Sequence, residues 1–380
     1  MGCANLSHTT LSADKKRALI FCDYHPGLLE ALSRTFEQAG LTTRVLIRKL
    51  DKAKWRDANS LVIDLPLRVI GEEEPLRLAS FLSALAYLIV AGVLGVFFVL
   101  KGRVKLVLAV FAFPQGLVAL VVGRLTRRKV VILTDGGDID IFLKRPLIRT
   151  IMLGCLRAAD VVTALNKTKS SALSHYGINS ELCATIGVDV NQFKYVPFGD
   201  KDKWVLLCVA RLVPEKRLDV FLKACEILHK EGMDFSVLLV GDGRLRSEIA
   251  SQVGRMGMAK VVSLKGYVRH SEIQELFART PIFVLPSIRE GVSVSLLEAM
   301  SSGCVCIVSD IADNLEIVHD METGITFHAD DETNLTDKLR WAMLHPSELA
   351  NMTTSARDRV ERDFSFEVIA VKLGSILSRL

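Results

Sequence analysis

Short apolar runs alternate along the chain with longer stretches in which apolar positions recur at helical spacing. The first half reads "RALIFC", a helix from about Leu28 to Gly40, "TTRVLIR", "LVIDLP", an uncharged helix, "KLVLAVF", a helix near 115–126 and "KVVILT". The second half repeats the alternation: "KWVLLCVA", a helix over 217–230, "FSVLLVG", a helix over 243–256, "VVSLKG", a helix over 271–278, "IFVLP", a helix over 293–301 and "VCIVSD". Runs of strand length separated by helices predict β-α-β units wound into parallel sheets. The pattern therefore predicts an α/β chain of two Rossmann-like, doubly wound domains, residues 1–198 and 199–380. The hinge falls near "VPFGDKDK", where Pro197, Gly199 and several charges interrupt the pattern. Open sheets of this kind take ligands at the carboxyl ends of their strands, so the expectation is a cleft between two facing domains.

The uncharged helix raises a membrane question. Residues 78–100, "LASFLSALAYLIVAGVLGVFFVL", hold no charge over 23 positions, and a spanning helix needs about 20. The runs on either side read as strands, however, and a span would part them across the bilayer. The pattern favours a buried or membrane-surface crossover helix over a span.

Composition agrees with a globular chain, at 50 % hydrophobic and 24 % charged residues. The eight cysteines form no C-x-x-C pair and read as small core residues in a reducing compartment. The net charge of +5 hides an asymmetry, because residues 1–198 hold 26 Lys and Arg against 16 Asp and Glu. A basic first half suits an acidic surface. With no nucleic-acid motif in view, anionic lipid or another anionic acceptor is favoured over nucleic acid. The polar start of the chain reads without a secretory signal, so the expected location is cytoplasmic, peripheral on the cytoplasmic face of a membrane.

The candidate chemistry lies in the second half. In "REGVSVSLLEAM" a strand is followed by Glu290, a turn at Gly291, a helix start and a second carboxylate at Glu298. Amides at a helix start attract anions and hydroxyl oxygens, and paired carboxylates accept from vicinal hydroxyls, which suggests a sugar and a ribose. In "VARLVPEKRLD", Arg211 and Lys216 flank a strand-to-helix loop, a fork and a point charge that can converge on a diphosphate. "LLVGDGRLRSEI" ends a strand in Gly241 and Gly243. It is no dinucleotide fingerprint, since Arg246 stands where the third glycine belongs, and this disfavours a nicotinamide oxidoreductase. The "DID" run, Asp138–Asp140, follows a glycine pair after a strand and invites a metal reading, since Asp-x-Asp can bind divalent cations.

Taken together these residues resemble the glycosyltransferase family 4 enzymes, also called glycosyl transferases group 1. The resemblance runs through "VARLVPEKRLD", "GDGRLR", "GYVRHSEI", "VLPSIREGVSVSLLEAMSSG", "ETGITF" and "DFSFEVIAVKLGSIL". It implies the GT-B architecture, with the last helix packing back on the first domain, and a retaining, metal-independent transfer. It implies that Glu298 holds ribose hydroxyls and Glu290 those of the transferred sugar, helped by the amides of Val292, Ser293 and Val294 beside Gly291. Arg211 and Lys216 would neutralise the leaving β-phosphate, and main-chain groups at Tyr267 and Val268 would hold the base. Gly241 and Gly243 fall on a loop near the nucleotide.

In the first half, "FAFPQGLVAL" and "VILTDGGDIDIF" resemble the family. Gly27 is the one glycine where the family often has a pair, Asp135 stands where a His or Arg is common near the reacting centre, and Ser293 replaces a frequent glycine. The implied function is transfer of a sugar from a nucleotide-diphosphate-sugar co-substrate, with no cofactor, to a lipid-linked or polysaccharide acceptor. Polysaccharide or glycolipid biosynthesis is the implied setting, with an anionic membrane surface as a partner. The alternative is a non-catalytic nucleotide-sugar-binding protein of the same fold.

Overall fold

The computed structural model describes residues 16–23, 41–48, 60–63, 78–102, 104–134, 136–184, 187–202 and 204–380. The helix expected from Leu28 to Gly40 lies outside them. The chain divides into two compact units, one of residues 1–163, 173–181 and 370–380, the other of residues 164–172 and 182–369.

The first unit is built on a parallel sheet. Strands β1 (Lys16–Asp23), β2 (Leu41–Arg48), β3 (Ser60–Ile63), β4 (Leu106–Val110), β5 (Lys129–Leu133), β6 (Val161–Ala164) and β7 (Glu181–Leu182) lie in the order β3-β2-β1-β4-β5-β6-β7. The run "LVLAV" of β4 is buried at every position, as expected of a central parallel strand covered on both faces. The uncharged stretch is helix α1 (Leu78–Gly102). It joins β3 to β4 within one sheet, which makes it a crossover. Gly95 lets it approach closely, since a Cβ there would stand 2.8 Å from both the Phe21 ring and Val122. Among the described residues no helix is long and apolar enough to cross a membrane. Helices α2 (Gln115–Thr126), α3 (Gly136–Phe142), α4 (Pro146–Ala158) and α5 (Lys167–Ser174) follow in chain order.

The second unit repeats the plan. Strands β8 (Val205–Val209), β9 (Ser236–Val240), β10 (Val262–Gly266), β11 (Ile282–Leu285), β12 (Val305–Ser309) and β13 (Ile325–Phe327) lie in the order β10-β9-β8-β11-β12-β13. All their pairings are parallel. The helices are α6 (Leu218–Lys230), α7 (Arg246–Arg255), α8 (His270–Arg279), α9 (Val294–Ser301), α10 (Ala312–Leu315), α11 (Glu332–Leu344) and α12 (Pro346–Asp363), followed by α13 (Phe366–Ser378), most of which belongs to the first unit. One apolar cluster joins α6 and α11 to one face of this sheet; a second joins α9 and part of α12 to the other. Strand order reverses between β8 and β11, so the chain leaves these neighbours toward opposite sides and opens a crevice at their carboxyl ends. Cys155, Cys183, Cys208, Cys225, Cys304 and Cys306 are free and buried.

Candidate functional site

The loops that leave β8 and β11 meet at that crevice. Ile288 N–H donates to the Glu215 carbonyl at 3.0 Å and fixes one loop on the other. Pro214, with its preset φ, opens a single 3-10 turn, Pro214–Lys216, that turns the chain back toward β11. Lys216 Nζ then donates to Glu290 Oε1 at 2.5 Å, and the side chains are only 14 % and 8 % exposed. Arg211, on the same loop, differs. Its side chain is 68 % exposed and faces Glu215 Oε1 at 3.6 Å. One cation is thus locked to a carboxylate while the other stands in water, available to an anion.

Glu298 sits inside α9, 5 % exposed. Burial pushes its carboxyl up to about 8, because the protein replaces the water that would solvate the charge. Among the described residues its ion-pair partner is His270, whose Nε2 is 3.9 Å away, beyond a hydrogen bond. His270 is in turn held edge-on against the Phe193 ring at 5.3 Å. Arg357 anchors this corner, donating to the Phe193 carbonyl at 2.7 Å and the Ser301 carbonyl at 2.9 Å. Gly291 and Val292 are half-buried on the approach to α9. Ser293 takes the capping position but makes no side-chain cap bond; its Oγ lies 3.3 Å from Ser295 Oγ. Val294 is the first helical residue. An uncapped helix start beside a buried carboxyl can take both an oxygen and a hydroxyl from one ligand.

The glycine loop after β9 braces the loop after β8. Gly241 has φ 127°, and a Cβ on it would meet the Ala210 carbonyl oxygen at 2.0 Å. A Cβ on Gly243 would meet the Leu212 oxygen at 2.4 Å. Leu212 N–H donates to the Asp242 carbonyl at 2.9 Å, and Leu245 N–H donates back to the Leu212 carbonyl at 3.0 Å. Beyond β10, Tyr267 is 76 % exposed and Val268 half-buried. The Arg246 guanidinium covers Gly266, within 2.6 Å of where a Cβ would stand.

Gly27 and Asp135 lie outside the described residues. Asp138 and Asp140 fall on α3. Sequence reasoning passed over a polar cluster in the second unit. Lys169 Nζ meets Asp313 Oδ2 at 3.1 Å, both nearly buried, and Asn166 Nδ2 donates to Asp313 Oδ1 at 2.8 Å. Glu316 accepts from the Lys167 and Thr168 amides at 2.8 and 2.7 Å. The partners are some 150 residues apart in sequence, and only the run "NKTKSS", a polar break after a strand, hints at them. Arg357, 164 residues from the Phe193 carbonyl it holds, was missed for the same reason, and His270 because its spacing from Glu298 carries no signal.

Residues 191–359 match the family model described as Glycosyl transferases group 1, so the second unit carries a domain of that group. The chain is similar to a putative colanic acid biosynthesis glycosyltransferase, WcaL, of Escherichia coli, 28 % identical over 59 % of this chain and 58 % of that one. The chain thus spans under two thirds of that relative's length. It is also similar to a GDP-mannose-dependent alpha-(1-6)-phosphatidylinositol monomannoside mannosyltransferase of Mycolicibacterium smegmatis, 24 % identical over 70 % of this chain and 74 % of that one. Among solved structures, Anabaena HepE in complex with UDP superposes with a TM-score of 0.74 over 96 % of this chain and all of that one, at 17 % identity. The fold is that of the GT-B glycosyltransferases, two parallel-sheet α/β domains.

Proposed function

We propose that the chain is a retaining glycosyltransferase, metal-independent and without a cofactor. It moves a hexosyl or related sugar from a nucleotide-diphosphate-sugar to a lipid-linked or saccharide acceptor. The observation that carries the reading is the placing of Lys216, Glu290 and Arg211 on the loops at the carboxyl ends of β8 and β11, beside a buried Glu298 that has no strong partner among the described residues. Cleavage of a sugar–diphosphate bond builds negative charge on the leaving oxygen, and Arg211 and Lys216 are the cations that meet it. A bound diphosphate draws Lys216 toward itself and leaves Glu290 free to accept from the sugar hydroxyls, with the Gly291–Val294 turn against the same sugar. Ribose hydroxyls give Glu298 the hydrogen bonds it lacks, and the backbone at Tyr267 and Val268 takes the base.

Two comparisons support the donor class. HepE holds UDP in its solved complex, and the mycobacterial relative is described as GDP-mannose-dependent. That relative's phosphatidylinositol monomannoside acceptor supports a lipid-linked acceptor, and the colanic acid relative a saccharide one. The protein works from the cytoplasm, on an anionic membrane surface. The test is incubation with a panel of UDP-, GDP- and ADP-sugars, with product analysis for slow hydrolysis or transfer. Release of the nucleoside diphosphate, lost in Arg211→Ala, supports the transferase. Nucleotide binding with no turnover of any donor supports the non-catalytic alternative.

A further inference from the structure

Helix α1 is apolar on every face up to Leu100, yet among the described residues only one side of its 86–100 stretch is covered. Tyr87, Ala91, Gly95 and Val99, spaced four apart, are buried. The opposite row, Ile89, Val93 and Phe97, is 59 %, 65 % and 51 % exposed, and Leu100 is 71 % exposed. A helix apolar on every face belongs in an interior or in lipid, and among the described residues the outer row lacks a covering. The exposure continues across the helix layer. On α2, which packs beside α1, Leu125 is 70 % exposed; on α4, which packs beside α2, Leu147 is 69 % exposed. Single exposed apolar side chains are ordinary, but a field running over three adjoining helices marks an interaction surface.

The charge around this field is mainly positive, although Asp160, just past the end of α4, pairs with Lys129 at 2.8 Å on its edge. Residues 78–134 contain seven Lys and Arg and no Asp or Glu, and α4 has no acid either. All three helices cross between parallel strands, so their carboxyl ends share one edge of the layer, and there the cations gather. Lys101 ends α1, its Nζ 5.3 Å from the Phe97 ring centroid. Arg124 reaches from α2 to the Ala158 carbonyl at the end of α4 at 2.9 Å. Arg128 and Arg157 are exposed on the same edge.

We infer that the outer rows of α1, α2 and α4 form an interfacial docking surface for an anionic bilayer, with α1 lying in the plane of the headgroups and its Val93–Phe97 row in the acyl boundary. This deepens the membrane part of the proposed function by naming the surface and the mode of attachment. An apolar field with a rim in which cations outnumber acids complements anionic headgroups over hydrocarbon. Long Lys and Arg stems can lie on the apolar field while their charges reach phosphate.

The test uses the full chain without donor, sedimented with vesicles of phosphatidylcholine alone or with added phosphatidylglycerol. Binding to the anionic vesicles is expected to exceed binding to the neutral ones by at least about tenfold, since each cation near an anionic leaflet contributes severalfold. The double variant Val93→Asp, Phe97→Asp should lose that binding while keeping its melting temperature and nucleotide affinity, because both side chains are exposed and distant in sequence from the nucleotide loops. A Phe97→Trp variant should shift its emission to the blue on anionic vesicles as the ring leaves water. Failure to sediment, equal binding to both vesicle types, vesicle binding unchanged in the Asp variant, or an unshifted Trp each overturns the proposal. So does a concentration-dependent dimer lost in the Asp variant, which assigns the surface to a second copy. None of these outcomes touches the transferase reading, which is read from donor turnover alone.

Discussion

Lys216 Nζ and Glu290 Oε1 lie 2.5 Å apart at the mouths of two neighbouring strands, and both side chains are largely withdrawn from water. The pair holds a cation and a carboxylate ready, each neutralising the other, at the point where a diphosphate and a sugar are proposed to enter.

Removing one partner strands the other, so Lys216→Ala should lower stability by about 3 kcal/mol. Adding Glu290→Gln removes the stranded charge and should return most of that stability, while donor turnover stays abolished. Urea denaturation of the single and double variants, run beside a turnover assay, separates the two effects. A double variant with restored turnover would deny the pair any part in the chemistry.

Glu298 makes stability depend on pH. Its folded-state carboxyl titrates at about 8, above the ordinary value of 4.5, so the folded protein holds a proton that the unfolded chain has released. The group's contribution is full below about pH 4.5 and is lost as pH rises through about 8. Glu298→Gln should flatten that decline, which chemical denaturation from pH 5 to 9 can follow. The same substitution should weaken nucleoside diphosphate binding by roughly 1.5 to 3 kcal/mol, through loss of a charge-assisted bond to ribose. In the wild type, binding near neutral pH should release a proton, seen as a dependence of calorimetric heat on the buffer's ionisation enthalpy.

Much of this was legible in the sequence. Strands β8 to β12 and the helices between them read from runs of apolar residues closed by polar loops, because buried parallel strands need continuous apolar stretches. The helix expected from residue 243 begins at Arg246, because Gly243 and Leu245 are first spent stitching their loop to Leu212. Helix α4, which opens on Pro146, was not assigned from the sequence; proline at a first helical position reads equally as a break. The two carboxylates were visible as a spacing, but their environments were not. Glu290's partner lies 74 residues away in sequence, and the desolvation of Glu298 depends on what packs around α9. Helix α1 read as uniformly apolar, so no pattern could tell which row the sheet would cover.

Gly241 tests the bracing of the diphosphate loop. Its φ of 127° and the Ala210 oxygen 2.0 Å from any Cβ exclude a side chain without movement of the loop. Gly241→Ala should cost about 3 kcal/mol or more of stability. It should also weaken nucleoside diphosphate binding, because Arg211 and Lys216 ride on the displaced loop. Denaturation midpoints and binding isotherms of the purified variant check both.

The most direct measurement is a calorimetric titration of UDP, GDP and ADP, each beside its nucleoside, into the wild type, Arg211→Ala and Glu298→Gln. At least one diphosphate should bind saturably and far more tightly than its nucleoside, so that at about 100 times its dissociation constant it adds roughly 2.7 kcal/mol of stability. Arg211→Ala should erase the advantage of the diphosphate over the nucleoside, and Glu298→Gln should weaken both. Absence of binding by all three diphosphates, or isotherms that neither substitution alters, would contradict a nucleotide-sugar site at the ends of β8 and β11.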